Sequence, residues 1–323
     1  WKKFEDTEHG PRVAARRNGK PNYDVAGADE KSFSTDWLTD KVIDFVNLNR
    51  NKPFCYMVDY PDPHGPNTVR KPYDVMYADA KVPIPRSLTK TLAQTPKWGG
   101  RQGPRLTADT VRSIMPKYYG MVKCLDDNVG RILESLRKNK ILDRTVIVFT
   151  SDQGFAWGQH GFQHKIAPYD ANISCPLIIS FPGRITEGQV CKTPVGGQDL
   201  VPTLFNFAGL AMPWKMHGRD ITPLLNNPEA ESDHTVLMAY TARSYGADTN
   251  TLPSTEDGNS EIPWWVSYRK DNYKYIVLDD ASEITIIGRG QESFTINHTF
   301  LIEDPLHAEF TDFSSEKTYN KQP

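Results

Sequence analysis

Residues 145–165 read Thr-Val-Ile-Val-Phe-Thr-Ser-Asp-Gln-Gly-Phe-Ala-Trp-Gly-Gln-His-Gly-Phe-Gln-His-Lys. A run of β-branched and aromatic residues ends at Ser151, and a glycine-rich segment with several polar side chains follows. This pattern is typical of a buried strand that ends in a turn. In an open α/β sheet, ligands bind beyond the carboxyl ends of the strands. The stretch therefore predicts a strand of the central sheet and a candidate site at its end.

Two adjacent oxygen donors, Asp152 and Gln153, stand at this strand end. Carboxylate and carboxamide oxygens suit a hard cation such as Ca²⁺ or Mg²⁺. Asp is also common in ordinary turns and at helix starts. On these residues alone, a cation site and a plain turn both stay open.

A second apolar run, Phe54–Val58, leads into Asp59-Tyr60-Pro61-Asp62-Pro63-His64-Gly65-Pro66. The three prolines restrict the backbone around His64, which suits a residue that must be placed accurately. The alternative is an exposed histidine in a proline-rich loop. Because two predicted strands both end in Asp, His and Gly residues, we favour a site that includes His64.

Helical and strand patterns alternate over the first two thirds of the chain. This alternation predicts an α/β fold with a mainly parallel sheet sandwiched by helices. Proline inside the second helix should kink it or mark its true start. The predicted elements are a helix over 35–48 with caps among Ser34, Thr35 and Asp36, strand 54–58, a helix from Thr107 or Asp109 to Leu136 containing Pro116, strand 145–150, strand 176–181, and a helix over 200–208 capped by Asp199.

The pattern changes after Asn226. Short alternating runs at 264–268 and 273–278 flank Lys270-Asp271-Asn272, which is typical of a hairpin turn. We therefore predict an α/β domain over 1–226 and a small antiparallel β subdomain over 227–323.

Composition limits the class of function. The chain has 323 residues and a formal net charge of -2, so bulk electrostatics predicts no nucleic-acid partner. No apolar run is long enough to span a bilayer. The chain starts at Trp1 with no visible signal segment, so we expect a truncated or processed protein. Among the four cysteines, we expect Cys55 and Cys124 in the core, while Cys175 and Cys191 could pair.

Several motifs together resemble the type I sulfatases of the alkaline phosphatase superfamily. Residues 151–154, 158–161 and Lys165 resemble the family's second signature region. Residues 52–54 with 62–64 resemble the preceding strand and its Pro-His turn. The family's later helix and C-terminal hairpin are matched by Gln198–Leu204 and Tyr273–Tyr275. The resemblance covers most of the chain in the family's order.

The resemblance implies a role for each matching residue. Asp152 and Gln153 would be metal ligands for Ca²⁺, with Mg²⁺ as the alternative, although the family usually has Asn or His at the second position. Lys165 would hold a sulfate oxygen. His64 would contact the sulfate or the leaving oxygen and donate a proton to the departing alcohol. His160 would bind substrate or shape the pocket.

In this family the nucleophile is a formylglycine made from Cys or Ser in a Cys/Ser-x-Pro-x-Arg motif, upstream of the motifs above. We expect no motif of that spacing in this chain, neither at Cys175-Pro176-Leu177 nor at Ser180-Phe181-Pro182-Gly183-Arg184, and expect the nucleophile before Trp1. The chain would then be the C-terminal part of a sulfatase, a sulfuric ester hydrolase for a sulfated carbohydrate or another sulfate ester. Alone, we expect it to hydrolyse nothing and to bind calcium weakly.

Two alternatives stay open. One is a phosphodiesterase or phosphomutase of the same superfamily, and the other is a catalytically silent relative that binds sulfated glycans. The connection over 71–104 is expected to form part of a substrate rim. The resemblance also implies export to the periplasm, the lysosome or the cell exterior.

Overall fold

The computed structural model describes residues 4–5, 12–13, 25, 27–89, 106–161, 163, 165–230, 232–240, 265–270, 273–278, 284–288 and 291–296. Its helices are α1 (Ser34–Asn49), α2 (Ala108–Lys138), α3 (Asp170–Ile173), α4 (Leu200–Phe207) and α5 (Thr222–Asn226). Its strands are β1 (Phe4–Glu5), β2 (Arg12–Val13), β3 (Ile147–Thr150), β4 (Leu177–Ser180), β5 (Thr235–Tyr240), β6 (Trp265–Lys270), β7 (Tyr273–Leu278), β8 (Ile284–Gly288) and β9 (Gln291–Ile296).

The two long helices confirm the helical predictions and pack against each other. Val42 and Val46 of α1 share a buried cluster with Leu136 of α2 and Ile141. Helix α2 starts at Ala108, where the hydroxyl of Thr107 accepts a hydrogen bond from the Thr110 amide at 3.1 Å. Pro116 therefore lies inside this helix and does not mark its start, because the capped turn before it continues the helix.

A buried ion pair joins α1 to the chain that follows the His64 loop. Asp36 is 1% exposed and Arg70 is 6% exposed. The guanidinium donates to both carboxylate oxygens, at 2.7 and 2.8 Å, and Asn128 of α2 donates to the same carboxylate at 3.1 Å. The predicted caps Ser34, Thr35 and Asp36 instead lie buried inside the first turn of α1, where Asp36 accepts from Arg70 and Asn128 and the Thr35 hydroxyl donates to Asp62.

The strand predicted from residues 145–150 is confirmed as β3, and the one from 176–181 as β4. They pair antiparallel, with Ile147 opposite Ser180 and Thr150 opposite Leu177. Within the described residues no strand pair is parallel, so the mainly parallel arrangement is not seen there.

The predicted strand at 54–58 is wrong in the described structure. These residues form no strand, and the side chain of Met57 is 81% exposed. An apolar run becomes a buried strand only beside a hydrogen-bonded neighbour, and none of the described strands pairs with it. Phe54 and Tyr56 contact the ring of Phe45 in α1 instead.

The C-terminal antiparallel sheet is confirmed. Its five strands follow the order β5-β6-β7-β8-β9, and every neighbouring pair is antiparallel. Strands β6 and β7 form the predicted hairpin, with Tyr268 opposite Tyr275, while Trp264, Asp271 and Asn272 lie outside the described residues. The division at 226/227 stays a prediction.

The cysteines follow the predictions only in part. Cys124 is buried as expected, but Cys55 is exposed because the segment that carries it is not a buried strand. Cys175 and Cys191, whose pairing the sequence left open, are both exposed and free in this structure. Among the described residues, no helix has the length and apolar character that crossing a membrane requires.

Candidate active site

The two predicted metal ligands directly follow β3. Asp152 is exposed and Gln153 is half-buried. The Ser151 hydroxyl donates to the Gln153 carbonyl at 2.9 Å and closes the turn. With the residues that the structure describes, neither the Asp152 nor the Gln153 side chain makes a hydrogen bond or ion pair, so their oxygens remain available to a ligand.

The donor chemistry fits part of a calcium or magnesium site. A carboxylate and a carboxamide supply hard oxygen ligands, but Ca²⁺ takes 6–8 of them. In the described part of the chain, no group of three or more His, Cys, Asp or Glu residues is arranged to hold a metal. Asp152 and Gln153 can therefore contribute to a cation site that needs further ligands.

Gly154 lets this strand end pack closely against α3. Its amide donates to the Asn172 carbonyl at 2.7 Å. A Cβ built on Gly154 would lie 2.3 Å from the Ala171 oxygen and 2.6 Å from the Ser174 oxygen. Because those contacts are too short for any side chain, glycine at 154 fixes the position of the turn that carries Asp152.

His160 is held in an unusual backbone conformation. Its φ is 56° and its ψ is 14°, a left-handed conformation that is uncommon for residues other than glycine and often found at functional sites. Its amide donates to the Ser87 hydroxyl at 3.0 Å. Its ring stacks on Tyr169, with centroids 3.8 Å apart and planes 5° apart. The imidazole is therefore fixed beside the segment that follows Lys165.

Lys165 is half-buried, and its ammonium makes no hydrogen bond or ion pair with the residues that the structure describes. Such a cation is available to an anionic ligand. The Gly154–Asn172 hydrogen bond and the His160–Tyr169 stack bring residues 152–160 against the segment that begins at Lys165.

His64 lies on an exposed loop with a well-defined ring. Its Nδ1–H donates to the Gly65 carbonyl at 2.7 Å, so Nε2 is the ring nitrogen that remains for a ligand. The loop is held by the His64 amide, which donates to the Pro61 carbonyl at 3.0 Å, and by the Thr35 hydroxyl, which donates to Asp62 at 2.7 Å.

Helix α2 supports both halves of the candidate site. Asn67, which follows the His64 loop, donates to the Met121 sulfur at 3.7 Å, and Trp157 packs edge-on against Tyr118 with centroids 5.3 Å apart. Three residues of helix separate these attachment points by about 4.5 Å along the axis. No hydrogen bond or ion pair between described residues joins His64 directly to Asp152, Gln153 or Lys165.

The expectation that no stretch of the chain has the spacing of the family's nucleophile is wrong, because Ser180-Phe181-Pro182-Gly183-Arg184 matches Ser-x-Pro-x-Arg. The position of Ser180 in the sheet, and not the spacing, argues against Ser180 as the nucleophile. Ser180 lies opposite Ile147, at the start of β3, whereas Asp152 follows the end of that strand. Three residues of strand place Ser180 about 10 Å along the ladder from Thr150.

Sequence reasoning missed the roles of two side chains, half-buried Tyr169 and buried Asp199. The only sequence feature that could have indicated the stacking of Tyr169 on His160 is the presence of an aromatic residue four positions after Lys165. Asp199 was expected as a helix cap, but its carboxylate instead accepts hydrogen bonds from the Gly196 and Arg219 amides, at 2.7 and 2.9 Å. It also lies 2.9 Å from Nε2 of buried His234, a partner 35 residues away that no local pattern reveals.

Comparison with known proteins identifies the family. Residues 4–210 match the family described as Sulfatase, and the chain therefore belongs to it. N-acetylglucosamine-6-O-sulfatase of Bacteroides thetaiotaomicron is 29% identical over 261 residues, covering 61% of this chain and 47% of that protein. The chain thus spans about half the length of this curated relative.

Two solved structures show the fold. A protein solved in complex with its substrate D-glucosamine-2-N,6-O-disulfate has a TM-score of 0.66 at 22% identity, covering 79% of this chain and 63% of the other. The phosphonate monoester hydrolase from Silicibacter pomeroyi has a TM-score of 0.65 at 23% identity, covering 90% and 60%. They confirm the predicted alkaline phosphatase/sulfatase-like fold class.

Proposed function

We propose that the protein containing this chain is a sulfuric ester hydrolase that removes sulfate from a sulfated carbohydrate. The carrying observation is Lys165, a half-buried cation with no anionic partner among the described residues, four positions before Tyr169, whose ring stacks on His160. A sulfate ester is an anion that such a cation can bind. The relative named N-acetylglucosamine-6-O-sulfatase supports a sulfated amino sugar as the substrate class.

Each site residue then has a defined task. Asp152 and Gln153 would hold Ca²⁺ or Mg²⁺, which when bound supplies positive charge opposite the sulfate oxygens. Lys165 binds a sulfate oxygen and stabilises the charge that develops during cleavage. In its doubly protonated form, His64 would donate the Nε2 proton to the leaving oxygen and become neutral, while the Nδ1–H bond to the Gly65 carbonyl keeps the ring in place. His160 contacts the substrate.

The formylglycine nucleophile used by the family is expected from a Cys or Ser outside these 323 residues. The isolated chain is accordingly expected to release no sulfate. Export to the periplasm, the lysosome or the cell exterior belongs to the same proposal, and fractionation of the native host would test it.

A phosphate or phosphonate ester hydrolase is the second candidate, because the fold is shared with a phosphonate monoester hydrolase. Both activities need a cation and an anion clamp, so the fold does not separate them. The third reading, a silent glycan-binding protein, requires binding without turnover.

The test uses the protein made from the complete reading frame that contains these residues. Release of nitrophenol from 4-nitrophenyl sulfate and from a 4-nitrophenyl phosphonate ester would be compared. We expect faster turnover of the sulfate ester than of the phosphonate ester. Lys165→Ala and His64→Ala should each lower the rate of sulfate ester hydrolysis by about 100-fold or more. Lys192→Ala and His217→Ala remove exposed side chains of the same types and should retain activity. Faster turnover of the phosphonate ester would support a phosphate or phosphonate ester hydrolase. Binding of a sulfated glycan without turnover of either ester would support a silent glycan-binding protein.

A further inference from the structure

The C-terminal sheet holds the chain immediately after Lys165. The indole N–H of Trp265, in β6, donates to the carbonyl oxygen of Ile166 at 2.8 Å. Trp265 is buried in one cluster with Ala167 and Ile276. Trp265 therefore packs in this cluster and also fixes the backbone carbonyl of the residue next to Lys165.

Lys274, in β7, makes two further bonds to the same segment. Its ammonium donates to the Pro168 carbonyl and to Oδ1 of Asp170, both at 2.6 Å. Arg269 donates to the same Asp170 oxygen at 3.2 Å. Residues 166–170 are thus bonded to β6 and β7 through backbone and side-chain atoms.

The environment of Lys274 is costly for a cation. The side chain is 3% exposed, and burial lowers its pKa although the Asp170 charge opposes that shift. Burial also tends to raise the pKa of Asp170, but the charges and hydrogen bonds of Lys274 and Arg269 outweigh it and lower that pKa. Only the Lys274 end of the pair is buried, since the Asp170 side chain is 49% exposed, so the contact ties a buried ammonium to a carboxylate at the surface of the segment.

The clamped segment adjoins two residues of the proposed sulfate site. Lys165 precedes it directly, and Tyr169 within it stacks on the His160 ring. The Lys165 ammonium makes no hydrogen bond to the described residues, so its location depends on where the following backbone lies. A displacement of about 1 Å at a binding group can cost about 100-fold in rate.

We propose that Lys274 and Trp265 are positioning residues for sulfate binding, which act by fixing the backbone of residues 166–170 and thereby the ammonium of Lys165. The C-terminal sheet is then part of the working site. This inference rests on the proposed function, because it assumes that Lys165 binds the sulfate group.

The test is a double-mutant cycle in the protein from the complete reading frame, with kcat and KM measured for 4-nitrophenyl sulfate. Lys274→Met keeps the apolar stem and removes both hydrogen bonds. We expect it to lower kcat/KM by about 10- to 100-fold. Lys270→Met, at the exposed end of β6 in the same hairpin, is the matched control and should change kcat/KM less than twofold.

The decisive readout is the effect of Lys274→Met in a Lys165→Ala background. If Lys274 acts through Lys165, Lys274→Met should lower kcat/KM less than threefold in the protein that already carries Lys165→Ala. Equal losses in both backgrounds would overturn the positioning role. If Lys165→Ala alone leaves kcat/KM unchanged, the proposed function fails instead.

A second variant covers the case in which Lys274→Met does not fold. Trp265→Phe keeps an aromatic ring in the buried cluster and removes the indole donor to Ile166. We expect about a fivefold loss of kcat/KM and a lowered thermal unfolding midpoint, with the variant still folded at the assay temperature. Unchanged kinetics in a folded Trp265→Phe would contradict the proposal.

Discussion

Two glycines of α2 offer a matched test of how the His64 half of the site docks on that helix. A Cβ on Gly130 would meet nothing within 4 Å, whereas one on Gly120 would lie 2.1 Å from the Tyr73 carbonyl oxygen. Replacing glycine by alanine inside a helix favours folding by about 1 kcal/mol at either position. The two variants therefore differ only in what the new methyl group contacts.

The magnitude follows from the geometry. Ordinary contact begins at 3.4 Å, so the Tyr73 carbonyl would have to move by 1.3 Å, the difference between 3.4 and 2.1 Å. Overpacking costs about 1–3 kcal/mol, and because backbone must move here we take the upper part of that range, about 2–3 kcal/mol, from which the helix gain of about 1 kcal/mol is subtracted. We expect Gly130→Ala to raise the free energy of unfolding by about 1 kcal/mol and Gly120→Ala to lower it by about 1–2 kcal/mol.

Urea unfolding of the 323-residue chain, followed by far-UV circular dichroism, measures both values. The midpoints should shift in opposite directions while the slopes stay equal. Equal stabilisation by the two substitutions would refute the close contact between Gly120 and the Tyr73 segment.

Three further predictions concern the chain by itself. Arg70→Met leaves the buried Asp36 carboxylate without its bidentate partner and should lower the free energy of unfolding, measured by urea, by about 3–5 kcal/mol. The control, Arg112→Met, removes an exposed ion pair and should leave the free energy of unfolding nearly unchanged. Burial raises the pKa of the Cys124 thiol to about 12. Iodoacetamide at pH 8 should therefore label the other three cysteines in the native chain, and Cys124 only after unfolding. Rapid labelling of all four cysteines in the native chain would contradict the burial of Cys124. The pKa of Asp170 in the folded chain is below its ordinary value of 3.8, so the ionised carboxylate stabilises the fold above pH 3.8 and this stabilisation is lost as the pH falls through the lower, folded-state pKa. Asp170→Asn should therefore make the urea midpoint fall less steeply with decreasing pH in this acidic range. A pH dependence identical to that of the native chain would contradict the Lys274 and Arg269 contacts.

The helices and the C-terminal hairpin were predictable because their signals are local. The apolar spacing and the Thr107 cap locate α2, and the alternation around 265–278 locates β6 and β7. The strand predicted at 54–58 was wrong because apolar composition alone does not indicate whether a neighbouring strand is available to pair with the segment.

The sequence is sufficient to propose the site residues, but it does not reveal the contacts that hold them. Asp152, His160 and Lys165 stand out as polar groups after an apolar strand, but their roles stay proposals. The contacts of Lys274 with residues 168 and 170 span more than 100 positions, so only the folded chain reveals them.

The most direct test of the central claim compares two esters of one sugar, N-acetylglucosamine 6-sulfate and N-acetylglucosamine 6-phosphate, with the protein from the complete reading frame. Released inorganic sulfate and phosphate would be measured at equal substrate concentrations, for the native protein and for Lys165→Ala. The account predicts faster release of sulfate, and its loss by about 100-fold in the variant. Faster release of phosphate, or sulfate release that does not depend on Lys165, would contradict it.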